Sequence, residues 1–188
     1  MKILGGIVSF CGDMIEPCEL VAMRRAVSKK AECDCGKANV YGKVALFFEG
    51  EEQPLECGEE GKRLAIVFDG GISNRDELCR RLTLSYEECP ADAGLAVTAY
   101  SLMTEGFFGA VSGSYHMAIY DEEQGRAIIA VRGRGRAPIY YIKEYGRLVF
   151  STSLEAVLAF GEPARIRTLV DGDGFVISFG KCERVTIE

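Results

Sequence analysis

A chain of 188 residues with 48% hydrophobic and 27% charged side chains has the size and composition of one globular domain with a substantial core, spanning 1–188. Its formal net charge of −6 excludes nucleic acid as a main partner, because gripping phosphates needs a basic field. No apolar run approaches the roughly 18 residues of a bilayer span, and Gly5 and Gly6 interrupt the short apolar N-terminal stretch, so no membrane or export role is expected and the location reads as cytoplasmic.

In chain order, Ile3 to Phe10 is an apolar run suited to a buried strand. From Glu16 to Lys30, Leu20, Val21, Met23 and Val27 recur at near-helical spacing, and Arg24, Arg25, Lys29 and Lys30 gather at the C-terminal end, where cations suit the helix dipole. A polar loop carrying Cys33 and Cys35 follows. Val44 to Phe48 predicts a strand and Glu49 to Pro54 a loop. Leu64 to Phe68 predicts a second buried strand, ended by Asp69-Gly70-Gly71. Asn74 is placed to cap a helix reaching Leu82, with Glu77 three residues on.

Asp92 to Thr104 predicts a mostly apolar helix, continued by a short one through Phe107, Phe108 and Val111. Tyr115 to Tyr120 and Ala127 to Arg132 predict strands joined across the polar turn Asp121 to Gly125. Ile139 to Ile142 and Leu148 to Ser151 repeat that pattern. Thr152-Ser-Leu-Glu155 has the form of a capping box opening a helix to Phe160. Phe175 to Phe179 and Arg184 to Ile187 close the series. Many strands, with helices grouped between hairpins rather than alternating strictly, indicate an α+β fold with layered sheets.

Eight segments together carry a resemblance. Met1-Lys-Ile-Leu-Gly-Gly-Ile7 is similar to a Met-Cys-Gly-Ile-X-Gly-Ile opening, and Phe10 to Pro17 to the turn that follows it. Gln53-Pro54-Leu55, Val67 to Leu78, Asp92 to Tyr100, Phe107 to Asp121, Arg132 to Tyr141 and Arg147 to Phe160 continue the match in order. The chain resembles the class II, N-terminal-nucleophile glutamine amidotransferase domain of asparagine-synthetase type. The resemblance implies a four-layer αββα sandwich, in which a cysteine thiolate attacks the glutamine carboxamide.

At the positions where the family keeps its chemistry, this chain has other residues. Lys2 stands in the nucleophile position, and an ammonium near neutral pH neither attacks an amide nor accepts a proton. The arginine that grips the glutamine carboxylate falls on Lys43, which keeps the charge but loses the bidentate fork. The oxyanion-stabilising Asn-Gly pair becomes Asp69-Gly70, and a carboxylate there has the wrong sign for a developing oxyanion. Asp92 matches the family, but Ala93-Gly94 follows it. The family's Arg-Gly-Pro-Asp loop has no counterpart between Lys30 and Val40.

Other residue groups carry less. The eight cysteines (Cys11, Cys18, Cys33, Cys35, Cys57, Cys79, Cys89, Cys182) contain no C-x-x-C pair and are expected to be reduced; with His116 the sole histidine, no metal or cofactor is expected. Cys11-Gly12 imitates a Cys-Gly start, yet cleavage there would discard the first strand. His116 reads as a structural histidine among strand residues. Arg132-Gly-Arg-Gly-Arg136 reads as a solvated or partner-docking loop rather than a phosphate cradle. Glu49, Glu51, Glu52, Glu56, Glu59 and Glu60 read as a solvated acidic loop.

The leading expectation is a degenerate glutamine amidotransferase-like domain without glutaminase activity, acting as a scaffold. The resemblance supplies a precedent in β-lactam-forming synthetases, whose equivalent domain is thought to keep its fold without that activity. Its partner is expected to be a second copy or a synthetase-like protein, docked on the face around Arg132 to Tyr141 through Pro138, Ile139, Tyr140 and Tyr141. Two alternatives stay open. One is a sensor holding an amino-acid ligand between Lys43 and Asp92. The other is an amidohydrolase using Lys2 at depressed pKa or a repositioned Cys11. Whether the chain stands alone or is part of a longer synthetase also stays open, since no Ser-Gly-Gly-X-Asp-Ser motif occurs in it.

Overall fold

The computed structural model describes residues 2–28, 38–49, 55–58, 63–85 and 90–187. Two six-stranded sheets are present. The first is built from β1 (Ile3–Ser9), β2 (Ala38–Val40), β3 (Val44–Glu49), β8 (Ile139–Glu144), β9 (Arg147–Ser151) and β10 (Arg167–Leu169), in the order β10-β8-β9-β1-β3-β2. The second comprises β4 (Leu55–Cys57), β5 (Leu64–Ile72), β6 (Gly113–Asp121), β7 (Arg126–Arg132), β11 (Asp173–Ser178) and β12 (Lys181–Thr186), in the order β12-β11-β7-β6-β5-β4. Every neighbouring pair is antiparallel. As their unbroken apolar sequences require, β1 and β5 are interior strands.

The two-residue period of a strand sorts β1 between two cores. Leu4 and Val8 point into a core between the sheets, shared with Leu46, Phe150, Val67 and Ile129. Ile3 and Ile7 point the other way, onto Leu20 and Met23 of helix α1 (Pro17–Val27) and Ala156 of α5 (Leu154–Leu158). The outer face of the second sheet is covered in the same manner by α2 (Arg75–Arg81), α3 (Asp92–Met103) and α4 (Phe107–Ala110). The result is a helix–sheet–sheet–helix sandwich, as the resemblance implied. Gly5 belongs to this packing, for a Cβ there would stand 2.7 Å from both the Phe47 ring and the Phe150 carbonyl. Among the described residues no helix is long and apolar enough to cross a membrane.

Several local expectations change. Asn74 takes the N-cap position of α2 but its side chain makes no cap hydrogen bond; its amide donates to the Ala110 carbonyl at 2.8 Å and its oxygen accepts the Ser112 N–H at 2.9 Å, tying α2 to the turn before β6. Thr152 likewise accepts the Leu4 N–H at 3.2 Å, and Ser153 takes the N-cap position of α5. Asp69-Gly70-Gly71 does not end β5, because pairing with β6 continues to Ile72 opposite Gly113. The expectation of reduced thiols fails at Cys79, which is disulfide-bonded. Cys11, Cys18, Cys57 and Cys182 are free, while Cys33, Cys35 and Cys89 lie outside the described residues. So do Glu51, Glu52, Glu59 and Glu60 of the acidic loop, together with Gln53 and Pro54. Glu49 pairs with Arg24 at 3.3 Å and Glu56 accepts the Tyr41 hydroxyl at 2.6 Å.

Candidate functional site

Strand direction decides which sequence-predicted residues meet. β1 and β3 run antiparallel, with Ile3 opposite Glu49 and Val8 opposite Val44. Lys2 therefore flanks one end of the pair, with its ammonium 5.9 Å from the centre of the Phe48 ring. Lys43 flanks the other end, its carbonyl accepting the Ser9 N–H at 2.8 Å. At about 3.3 Å per strand residue, some 20 Å separate them. Val8, Ser9 and Lys43 face Tyr120, Glu122 and Ala127 across the gap between the sheets. Because Leu64 pairs with Asp121 and Asp69 with His116, Asp69 lies at the opposite end, that of Lys2. The structure thus gathers Lys2, Asp69, Gly70 and Asp92 at one end and leaves Lys43 at the other. Cys11 follows β1 at the Lys43 end, hydrogen-bonded through its N–H to Gly146 at 3.2 Å, so it does not reach the nucleophile position.

At the Lys2 end the charged groups are engaged with one another. Arg136 donates to the Asp69 carboxylate at 2.5 Å and to the Asp69 carbonyl at 2.7 Å. Its Nε donates to Nδ1 of His116 at 3.3 Å, so Nε2 of that ring carries the proton and donates to the Ala137 carbonyl at 2.7 Å. Burial holds the His116 pKa below the ordinary histidine value, keeping the ring neutral beside the guanidinium. Gly70 runs against β6 so closely that a Cβ would fall 2.1 Å from the Ser114 carbonyl, at φ +138°. Asp92, opening α3, accepts the Ile72 N–H at 3.2 Å and the Arg75 guanidinium, which also donates to Pro90 at 2.8 Å. Asp92 thus joins the end of β5 to the start of α3.

This geometry revises the reading of the arginine loop. Arg132 donates to the carbonyls of Phe108 and Val111 at 2.9 and 3.0 Å, and Arg136 is bound to Asp69, so neither is a solvated charge. Ile139 and Tyr141 are interior, the latter edge-on to Phe175 at 5.0 Å. Arg134 is exposed, and Pro138 and Tyr140 are half-buried, so the expected docking face keeps part of its outer surface. The Arg136 clamp was missed from sequence because it spans 67 positions. Among the described residues no group of three His, Cys, Asp or Glu side chains could hold a metal ion.

Chemically, Asp69 presents hydrogen-bond acceptors and Arg136 supplies the donors that meet them. The Asp69 carboxylate is acceptor-only when ionised, and Arg136 points its donors at that carboxylate and at the backbone.

Comparison with known proteins places these features in context. A family described as glutamine amidotransferase domain matches residues 44–159. Asparagine synthetase [glutamine-hydrolyzing] 3 of Bacillus subtilis is 25% identical over 170 residues, covering 84% of this chain and 27% of that protein. The chain therefore spans about a quarter of that relative's length. Among solved structures, the glutamine phosphoribosylpyrophosphate amidotransferase of B. subtilis superposes with a TM-score of 0.73 at 15% identity, covering 100% of this chain and 49% of that one. A glutamine aminotransferase class-II domain protein of Silicibacter pomeroyi gives 0.54 at 8% identity, over 100% of this chain and 98% of that one. At such identities the likeness is one of fold.

Proposed function

This chain belongs to the glutamine amidotransferase domain family, and from that premise we propose that it has lost glutaminase activity and persists as a partner-binding scaffold for a synthetase-type protein in the cytoplasm. The observation that carries the proposal is the Asp69–Arg136 pair. On the sequence alignment, Asp69 stands where the family has its oxyanion-stabilising amide. Here that position is a carboxylate, and the cation beside it is already bound to it. Stabilising the tetrahedral transition state would require breaking the pair. The exposed Lys2 ammonium over Phe48 supports the same reading, since a charged amine is no nucleophile.

The amino-acid sensor is not favoured. Its two proposed clamps, Lys43 and Asp92, lie at opposite ends of the sandwich, and Asp92 is held by Arg75. An amidohydrolase using Cys11 meets the same difficulty of distance.

Ammonia release from glutamine tests the proposal. The purified protein should release it at the buffer rate, and Lys2→Cys alone should not restore turnover, because Asp69 still opposes the oxyanion. Wild-type activity abolished by Lys2→Ala would overturn the proposal. For the scaffold role, sedimentation should show a dimer, or pull-down a synthetase-like partner, weakened by Arg134→Glu. Arg136 is unsuitable for that test because it holds Asp69. A stable interface should bury about 1,200 Å² or more.

A further inference from the structure

The sandwich opens at the end where β1 leaves the first sheet. A cavity of about 340 Å³ lies there between the sheets, within the roughly 300–1,000 Å³ usual for small-molecule sites. Its lining is largely apolar, with Val8, Val44, Ala127 and Ile177 beside Tyr41 and Tyr120, whose rings lie 5.6 Å apart. Its polar groups differ in how far they are already satisfied. Glu122 accepts the Arg63 N–H at 3.4 Å and stands 3.6 Å from the Arg63 Nε, so its charge is compensated. The Tyr41 hydroxyl donates to Glu56 at 2.6 Å.

Lys43 is different. It is exposed and forms no ion pair among the described residues; its ammonium rests 5.1 Å from the centre of the Phe179 ring. That ring is itself 73% exposed, and Met14 on the same rim is 61% exposed. An apolar chamber with an unpaired cation at its mouth accepts an anion that carries an apolar body. The net charge of −6 supplies no general attraction for anions, so selectivity must come from this one residue.

We infer that the cavity binds a small monocarboxylate with an aromatic or branched apolar body, its carboxylate on Lys43 and its body against Tyr41, Tyr120 and Ile177. On binding, the ammonium exchanges a weak contact with an exposed ring for a charge-assisted hydrogen bond, which is the stronger interaction. Neither Lys2 nor Asp69 takes part, so the inference stands or falls separately from the loss of glutaminase activity.

The test is calorimetric titration of the whole chain with 3-phenylpropionate, 3-phenylpropan-1-ol and 3-phenylpropylamine, paired with amide chemical-shift mapping. The carboxylate should bind about tenfold or more tighter than the alcohol, the amount one charge-assisted hydrogen bond supplies, and the amine should bind weakest. Shifts should centre on Gly42, Gly125 and Ser178 and leave Asp69 and His116 unmoved. Lys43→Met should reduce the carboxylate to the affinity of the alcohol. Equal binding of carboxylate and alcohol, shifts centred at the Asp69 end, or no binding of any probe at millimolar concentration overturns the inference. If Lys43→Met fails to fold, the wild-type ranking and shift map decide alone.

Discussion

The Asp69 and Lys43 ends of the sandwich share their strands but treat charge in opposite ways. At the first, Asp69 is answered by Arg136, Asp92 by Arg75, and His116 stays neutral beside them. At the second, Glu122 is answered by Arg63, but Lys43 stands over an exposed ring with no ion pair among the described residues, and the sheets part around a cavity. Where charges compensate one another in a half-buried cluster, they hold the backbone in place but have nothing left for a ligand. Where one is uncompensated beside apolar space, it contributes little to the fold and is available for binding.

The largest effect should separate two glycines. Gly70→Ala forces a Cβ to within 2.1 Å of the Ser114 carbonyl at φ +138°, against the backbone of Ser114 and Tyr115. A loss above about 3 kcal/mol by chemical denaturation is expected. Gly125 borders the cavity with φ +59° and nothing within 4 Å of the same probe position, so Gly125→Ala should cost about 1 kcal/mol. Equal losses would erase the contrast between the ends.

The next contrast concerns the two cations. Arg136→Met leaves the Asp69 carboxylate unpaired and removes the donor to His116 Nδ1. With the two side chains 19% and 24% exposed, some solvent reaches the pair. The expected cost of about 2–3 kcal/mol is therefore below that of a fully buried one. Lys43→Met should change stability by less than about 0.5 kcal/mol. A Lys43 loss matching that of Arg136 would show that the cavity end is also held by its charge.

The smallest effect is a pH slope. Burial depresses the His116 pKa in the folded state, so the unfolded chain binds a proton that the folded chain refuses. This contribution is fully present above about pH 6.5, the unfolded value, and is lost as pH falls below it. Since His116 is the sole histidine, His116→Gln should flatten the stability curve between about pH 6.5 and 5, before the carboxylates titrate. An unchanged slope would mean the ring is not held neutral.

Much of the fold was legible because it rests on local pattern. The apolar runs of β1 and β5 require cover on both faces, and both are interior strands. Edge strands such as β2 and β10 are three residues long, too short for alternation to show. Asn74 and Thr152 had the right residue type for caps, but each side chain found a partner far along the chain, in Ala110 and Leu4. Of the residues the resemblance singles out, Lys2, Asp69, Gly70 and Asp92 lie at one end and Lys43 at the other, a separation hidden in sequence because counting along a strand says nothing about which end of its antiparallel neighbour it meets. The pairings of Arg75 and Arg136 escaped notice for the same reason: charge compensation is a property of space, not of spacing.

The placement of β1 between β3 and β9 also sets an order of events on the ribosome. Gly5 pairs with Ser151, so β1 waits for a partner made much later in the chain. At synthesis rates of about 5–20 residues per second, that wait is roughly 7–30 s. Throughout it, an apolar strand has one edge without its final neighbour. A nascent-chain chaperone would therefore find a long-lived target in β1, and arresting translation before Arg147 should leave the protein unable to close its first sheet.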